Sequence, residues 1–349
     1  EVASRKEFER GATVPVVFFP EESDSVPDTP KLTVVVMHPT TGWSGNEVRD
    51  TIKEWTKQRG KSPRMYPGAL VWCVRKSGND LRDKAELSLA WGKVAGEIAD
   101  GTLGGEYDRA DRAGVQSRLA EANESLKDEV WAGYRFVIVT DGAETDGLKV
   151  VDLGAGHASS GETLCGRILT ALKSQALLNE TVGAGYIERN WPPALKTSGA
   201  WPLEGLRQSF LNGTLTRLLD PDATLKARIV DAVGKGELGL ASGEKGDGSY
   251  ERVWFGEPVG SEEVAFEKGV FLLLKSKSKA LKEGKIPPAE PAGKRLDEEA
   301  KKKDEGEGPA KKPDGKTPPL SSVAVRVKGD ISPESWNRLG TKLLPKLRS

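Results

Sequence analysis

The stretch DLGAGHASSGETLCGRIL, Asp152–Leu169, decides the reading of this chain, because it fits three templates that imply different folds. As GHASSGET, Gly156–Thr163, it matches the phosphate-binding pattern G-x-x-x-x-G-K-[ST] except at Glu162, where a lysine would neutralise phosphate. A carboxylate at that place repels a triphosphate by several kcal/mol at contact distance, even with a high effective dielectric. As KVVDLGAG, it is a strand ending in Asp152-x-Gly154-x-Gly156, the arrangement by which S-adenosylmethionine-dependent methyltransferases bring bare backbone to their cofactor. Ala158 occupies the third glycine position, however, and no strand ending in an acid follows about 20 residues later to hold a ribose. As a helix start, Ser159 and Glu162 form an S-x-x-E capping box, and Leu164, Ile168, Leu169, Leu172 and Ala176 trace one apolar face. The third reading accounts for most residues. The stretch is expected to hand a sheet over to the first helix of a second module.

Upstream, VPVVFF, KLTVVVM, GALVWCV, YRFVIVT and LKVVDL are short β-branched runs bounded by Gly, Pro or Asp, with helical patterns between several of them. Runs apolar at nearly every position predict a sheet covered on both faces, and helical crossovers predict parallel neighbours. Residues 1–153 therefore read as an α/β module, a mostly parallel sheet with flanking helices. Within it, 105–130 is highly charged and helical, a solvated arm or hairpin.

Downstream, the order predicted for 154–282 is a helix over 161–178, a short strand in GYIERNWPP, two helices, and two strands around a Gly-rich loop. That is the order of a winged helix, an α+β module. Asp220-Pro221-Asp222 is a strong helix start, because proline suits the first turn and acids suit the positive end. VAFEKGVFLLLKSKSKAL adds a further strand and helix. Residues 283–319 hold hardly an apolar side chain and predict a disordered charged linker, after which 320–349 begins another module. Both chain ends interrupt amphipathic patterns, so the chain is expected to be a piece of something longer.

With 349 residues, 37% of them hydrophobic, the chain can bury one or two cores. Lys plus Arg and Asp plus Glu both number 52, so any basic face is local. The two cysteines, Cys73 and Cys165, are too few for a disulfide scaffold, and with His38 and His157 they leave a zinc site almost no ligands. No apolar run approaches a membrane span and no signal peptide is visible, so the expected compartment is the cytoplasm and no membrane partner is expected.

Lesser candidates read as structural. Asp141 ends a strand as a metal-binding acid does, yet Asp141-Gly142 forms turns readily. Asp152 and Glu162 make an acid/base pair only if an apolar pocket shifts one of them. Both histidines read as ordinary loop residues. The nine tryptophans suggest packing, with Trp191 and Trp201 as a conceivable contact surface around PPALKTSGA.

The segments GHASSGETLCGRILTALKSQALLNETVGAGYIERNWPPAL and GAWPLEGLRQSFLNGTLTRLLDPDATLKARIVDAVGKGELGLASG carry a resemblance, joined by DTPKLTVVVMHP, ALVWCV, LSLAW and ESWNRLGTKLLPKLRS. Together they resemble the carboxyl-terminal half of the domain-of-unknown-function 499 family over essentially the whole chain, most distinctively at 187–195 and 202–240. That family comprises large bacterial and archaeal AAA-type P-loop ATPases, often encoded beside DNA methyltransferases and helicases in anti-phage or restriction-like islands. The resemblance implies that ATP and magnesium belong to an amino-terminal motor in the parent protein. No phosphate-loop lysine occurs in this chain, so no catalytic, cofactor or metal residue carries over, and no cofactor is expected in this segment.

The expectation is a non-catalytic binding and coupling segment, with duplex DNA, partner proteins of a defence system, or the rest of its own ATPase chain as partners. If a winged helix touches DNA, Arg207, Lys226, Arg228, Lys235, Lys245 and Arg252 are the candidate phosphate contacts. A methyltransferase using Asp152, Gly154 and Gly156, and a purely structural assembly module, are the alternatives.

Overall fold

A computed structural model describes residues 1–158 and 161–284. Five strands form the body of the first sheet in the order β1-β2-β6-β7-β8: β1 (Val16–Phe18), β2 (Thr33–Val36), β6 (Leu70–Lys76), β7 (Tyr134–Thr140) and β8 (Leu148–Asp152). A two-residue strand β3 (Gly42–Trp43) continues along β6 beyond β2, at Arg75 and Lys76. A small hairpin of β4 (Gln58–Arg59) and β5 (Ser62–Pro63) stands apart and turns through Gly60 at φ +57°.

Alternation along β2 and β6 sorts the side chains to two faces, as the unbroken apolar runs predict. Val34, Val36, Val71 and Cys73 join one cluster with Phe8 of α1 (Val2–Glu9), Val130 and Trp131 of α4 (Arg109–Gly133), and Leu164 and Ile168 of α5 (Leu164–Ser174). Val35, Met37, Trp72 and Val74 join the opposite cluster with Ile52 of α2 (Gly45–Lys57). Two buried indoles find partners within this packing: Trp72 donates to Thr56 Oγ1 at 2.8 Å, and Trp131 donates to Glu7 at 2.8 Å.

The sheet is mixed. β1, β2, β3 and β6 run parallel, while β7 and β8 run antiparallel to their neighbours. The connection from β6 to β7 explains why this mostly parallel sheet ends in two antiparallel strands. It contains two helices, α3 (Asp80–Ala99) and α4, packed on one another. One helix carries a chain back to the start of its strand, but a helical hairpin returns it to the end it left, so the next strand must run the other way. The charged 105–130 segment is the second limb of this hairpin, started by a capping box between Asp108 and Asp111.

The second half is built on a four-stranded antiparallel sheet, ordered β11-β10-β12-β9, from β9 (Ala200–Pro202), β10 (Leu238–Glu244), β11 (Tyr250–Trp254) and β12 (Val270–Leu274). Its larger core gathers Ile187 of α6 (Ala184–Arg189), Leu206 and Phe210 of α8 (Leu203–Leu211), and Leu225 and Ile229 of α9 (Pro221–Gly234) against Leu240 and Leu272. A short helix α7 (Pro193–Lys196) precedes β9, and α10 (Lys275–Lys282) follows β12 and covers the other face. As the sequence predicts, Asp220 caps α9, its carboxylate accepting from the Ala223 amide at 3.0 Å.

Three expectations are corrected here. GYIERNWPP forms α6 and the approach to α7, and the short strand lies instead at 200–202. The isoleucine and tryptophan of that segment face the core from a helical turn, a period that a nine-residue window does not separate from a strand. Helix α5 begins at Leu164 and ends at Ser174, with Thr163 as its cap, its hydroxyl accepting from the Gly166 amide at 3.0 Å. Glu162 lies before the cap, its carbonyl held by Arg10, and Ser159 lies outside the described residues. Trp191 and Trp201 are buried, edge to face at 5.3 Å, so they are core and not a contact surface.

The linker at 283–319 and the module at 320–349 lie outside the described residues except for Glu283 and Gly284. No helix among the described residues is long and apolar enough to cross a membrane.

Cys73 and Cys165 are both free and buried, and burial pushes Cys165 up to about 11 and Cys73 higher still. Neither thiol is expected to react with an aromatic disulfide at about pH 8 until the protein unfolds, because only the thiolate attacks. A stopped assay in native buffer, repeated in denaturant, checks this.

Candidate functional site

The glycine-rich turn is occupied by the chain itself. Arg167, one turn into α5, reaches back so that Nη2 donates to the carbonyls of Leu153 at 2.7 Å and Gly154 at 3.0 Å. Nη1 donates to the Trp131 carbonyl at 3.3 Å. Gly154 takes φ +72°, a conformation that suits glycine, and its amide donates to Asp152 at 2.8 Å. A Cβ placed on Gly156 would stand 1.9 Å from Arg167 Nη1, so the absence of a side chain there makes room for the guanidinium. Asp152 is turned to Arg135, which grips it through Nε at 2.7 Å and through Nη2, and this hydrogen bonding holds its carboxyl below the usual carboxylate range. The glycines that invited a cofactor reading thus have a structural explanation at the end of an edge strand.

Gly156→Ala is therefore expected to expel Arg167 from its carbonyl acceptors and to cost about 2–3 kcal/mol of stability, the scale of several lost charged hydrogen bonds. Chemical denaturation checks the value.

Asp141 forms the turn its sequence predicts, its carboxylate accepting from the Ala143 amide at 2.9 Å. Asp152 and Glu162 make no pair: Asp152 is committed to Arg135. His38 sits in a loop between Thr40 and Glu1. Among the described residues no group of three or more His, Cys, Asp or Glu side chains is placed to hold a metal.

The six candidate phosphate contacts are distributed over α8, α9 and the β10–β11 hairpin, and four of them are engaged by acids. Arg207 grips Asp222 with two bonds of 2.6 and 3.0 Å. Arg228 donates to the Val182 carbonyl at 2.6 Å and to Asp231 at 2.8 Å, and Lys235 meets the same Asp231 at 2.9 Å. Arg252 lies over the Trp254 ring at 4.7 Å and reaches Glu263 at 3.2 Å. Lys226 stands over the Phe266 ring at 5.9 Å, beside Arg207 over the same ring, and makes no ion pair among the described residues. Lys245 sits in the exposed hairpin turn, near Asp247.

A feature with no local sequence signal joins the two sheets. Arg217, 6% exposed, has no acid partner within ion-pair distance among the described residues. Its Nε donates to the Gly68 carbonyl at 2.6 Å, Nη1 to Leu177 at 3.1 Å, and Nη2 to the Thr140 carbonyl and hydroxyl at 3.3 and 2.7 Å. Burial pulls its pKa down to about 10, opposed by the charge of Asp141, so it stays a cation at neutral pH. Beside it Gly68 lies against the backbone of Gly213, where an added Cβ would meet the Gly213 nitrogen at 2.6 Å. Arg64 repeats the pattern within the first half, donating to the carbonyls of Trp55, Val26, Pro27 and Ser23. The guanidinium fork suits this task because it presents five donors in fixed directions and retains its charge.

No family model, no curated protein and no solved structure matches this chain.

Proposed function

We propose that this chain is a non-catalytic segment that couples an ATP-dependent, DNA-directed motor to its partners, and that it does so through protein contacts. The resemblance of its 156–240 region supports the motor; ATP and magnesium would act in that motor, in the parent protein. The observation that carries the non-catalytic part is the filling of the Asp152–Gly156 turn by Arg167, which accounts for the cofactor-like glycines without a cofactor. The weld through Arg217 supports coupling, since a load applied to one sheet passes to the other through backbone-anchored bonds. Partners belonging to a defence system would meet the α8–α9 face and its β10–β11 hairpin, the part nearest to a winged helix, although β12 separates β9 from that hairpin.

The same geometry weighs protein contact over duplex DNA. A phosphate contact releases counterions only where the cation is uncompensated, and Arg207, Arg228, Lys235 and Arg252 already face acids. Lys226, with no acid, favours a second reading in which a duplex lies along α9.

Fluorescence anisotropy with a labelled duplex between about 50 and 200 mM salt separates the two. Protein contact predicts binding too weak to saturate, unchanged when Lys226 and Arg228 both become Glu. A saturable affinity that falls steeply with salt and is abolished by that double variant would establish the DNA reading instead.

A further inference from the structure

At the end of β7, where the first sheet meets the α8–α9 connection, lies a cleft of about 320 Å³. Its volume falls at the lower end of the range that holds small ligands, and clefts between packed units are favoured places for them. The wall from α2 contributes Lys53 and Lys57, four residues apart and so on one helical face. Like charges at that spacing destabilise a helix slightly, so the pair is not explained by helix stability.

The acids around the cleft leave the two lysines alone. Asp146 is held by Arg49 through Nε at 2.5 Å and Nη2 at 3.0 Å, and that pairing keeps its carboxyl well below the usual range. Asp141 makes no ion pair among the described residues; its carboxylate accepts from the Ala143 amide at 2.9 Å, and its charge is felt by Arg217 and Lys149. Glu144 is paired with Lys149 at 2.7 Å. Asp50 and Glu54 share α2 with the two lysines but form no ion pair with either. Lys53 and Lys57 are thus left uncompensated, and among the described residues neither has a hydrogen-bond partner. The opposite walls add uncharged donors without acceptors: the Gly142 amide, and the Asn212 side-chain nitrogen, whose carbonyl oxygen accepts from Thr214.

We propose that this cleft binds a small phosphoryl-bearing anion, its two negative charges matched by Lys53 and Lys57, with Gly142 and Asn212 donating to the remaining oxygens. Two ammonium groups and neutral donors around one cleft suit a phosphate dianion, which accepts from several directions, better than a planar carboxylate, which arginine's fork matches. The inference stands apart from the coupling role: a small ligand here would press on the joint made by Thr140, Gly213 and Arg217, whatever the segment's partners are.

Calorimetry with inorganic phosphate at about pH 8 and constant ionic strength, with citrate as the carboxylate control, tests it on the full chain. The expected result is saturable binding with Kd below about 1 mM. Citrate should bind at least about tenfold more weakly. The Lys53→Gln/Lys57→Gln double variant should lose at least about tenfold in affinity and lose the phosphate-dependent rise in Tm, while its ligand-free Tm stays level or rises. Lys93→Gln, on α3 and outside the cleft, should bind as the parent does. Absence of saturation, equal affinity for citrate, or an unchanged affinity in the double variant with native circular dichroism would each overturn the proposal.

Discussion

Arg217→Met is expected to lower the unfolding free energy by about 3–5 kcal/mol, the largest single effect outside the apolar core. Methionine fills much of the stem's volume but donates nothing, so the carbonyls of Gly68, Leu177 and Thr140 and the Thr140 hydroxyl lose their donor at a buried site. Each orphaned acceptor costs about 1–3 kcal/mol, partly relieved where water enters. Removing a buried cation that has no acid partner returns some of its desolvation cost, which is why the total stays below the plain sum. Arg217→Lys should recover little, because an ammonium has three donors on a single nitrogen and cannot span three carbonyls on separate segments. Equilibrium denaturation of the three proteins, followed by tryptophan fluorescence, reads the result. A loss under about 1 kcal/mol for the methionine variant would mean that the joint is held by its apolar contacts alone.

Gly68→Ala is expected to cost about 3 kcal/mol at the same joint, through sterics and not hydrogen bonding. The added carbon would stand 2.6 Å from the Gly213 nitrogen, 2.8 Å from the Leu211 carbonyl oxygen and 2.9 Å from the Gly213 Cα, all of them backbone. Backbone cannot rotate aside as a side chain does, so the 67–69 turn or the 211–213 connection has to shift. Gly213 has little room to yield, since it holds φ +84° and its own added Cβ would come within 2.9 Å of the Thr140 hydroxyl. Because either change opens the joint, the double variant Gly68→Ala/Arg217→Met should cost less than the sum of the two single ones. A double-mutant cycle measures the shortfall, and strict additivity would show that Gly68 and Arg217 act at independent places.

Much of the first sheet was legible from the sequence. The β-branched runs at Thr33–Val36, Leu70–Lys76 and Tyr134–Thr140 are strands within a residue or two of their predicted positions, and both faces are covered. That legibility has a simple cause, since a strand buried on both faces needs apolar residues at consecutive positions and little else in the chain does. Helix starts with an unrivalled cap, such as Asp220, were equally plain. At α5 the sequence offers Ser159 and Thr163 four residues apart, and the helix starts after Thr163, where the neighbouring Glu162 carbonyl also accepts from Arg10, a residue far away in the chain.

The candidate site was far less legible. Whether Arg207, Arg228 or Arg252 is free for a phosphate depends on where Asp222, Asp231 and Glu263 point, and charge composition is silent about that. The role of the Asp152–Gly156 glycines depended on Arg167 folding back over the turn.

Which segments lie inside is written along the chain, because hydrophobic periodicity is a property of sequence neighbours: the two-faced sheet, the charged helical arm and the capped α9 all follow from it. The direction of β7 and β8, the insertion of β12 between β10 and β9, and the carbonyl-bound Arg217 that locks the two sheets together came from the packed fold. Those depend on pairings between groups tens to more than a hundred residues apart, and an arginine's local surroundings carry no mark of the backbone carbonyl it will meet.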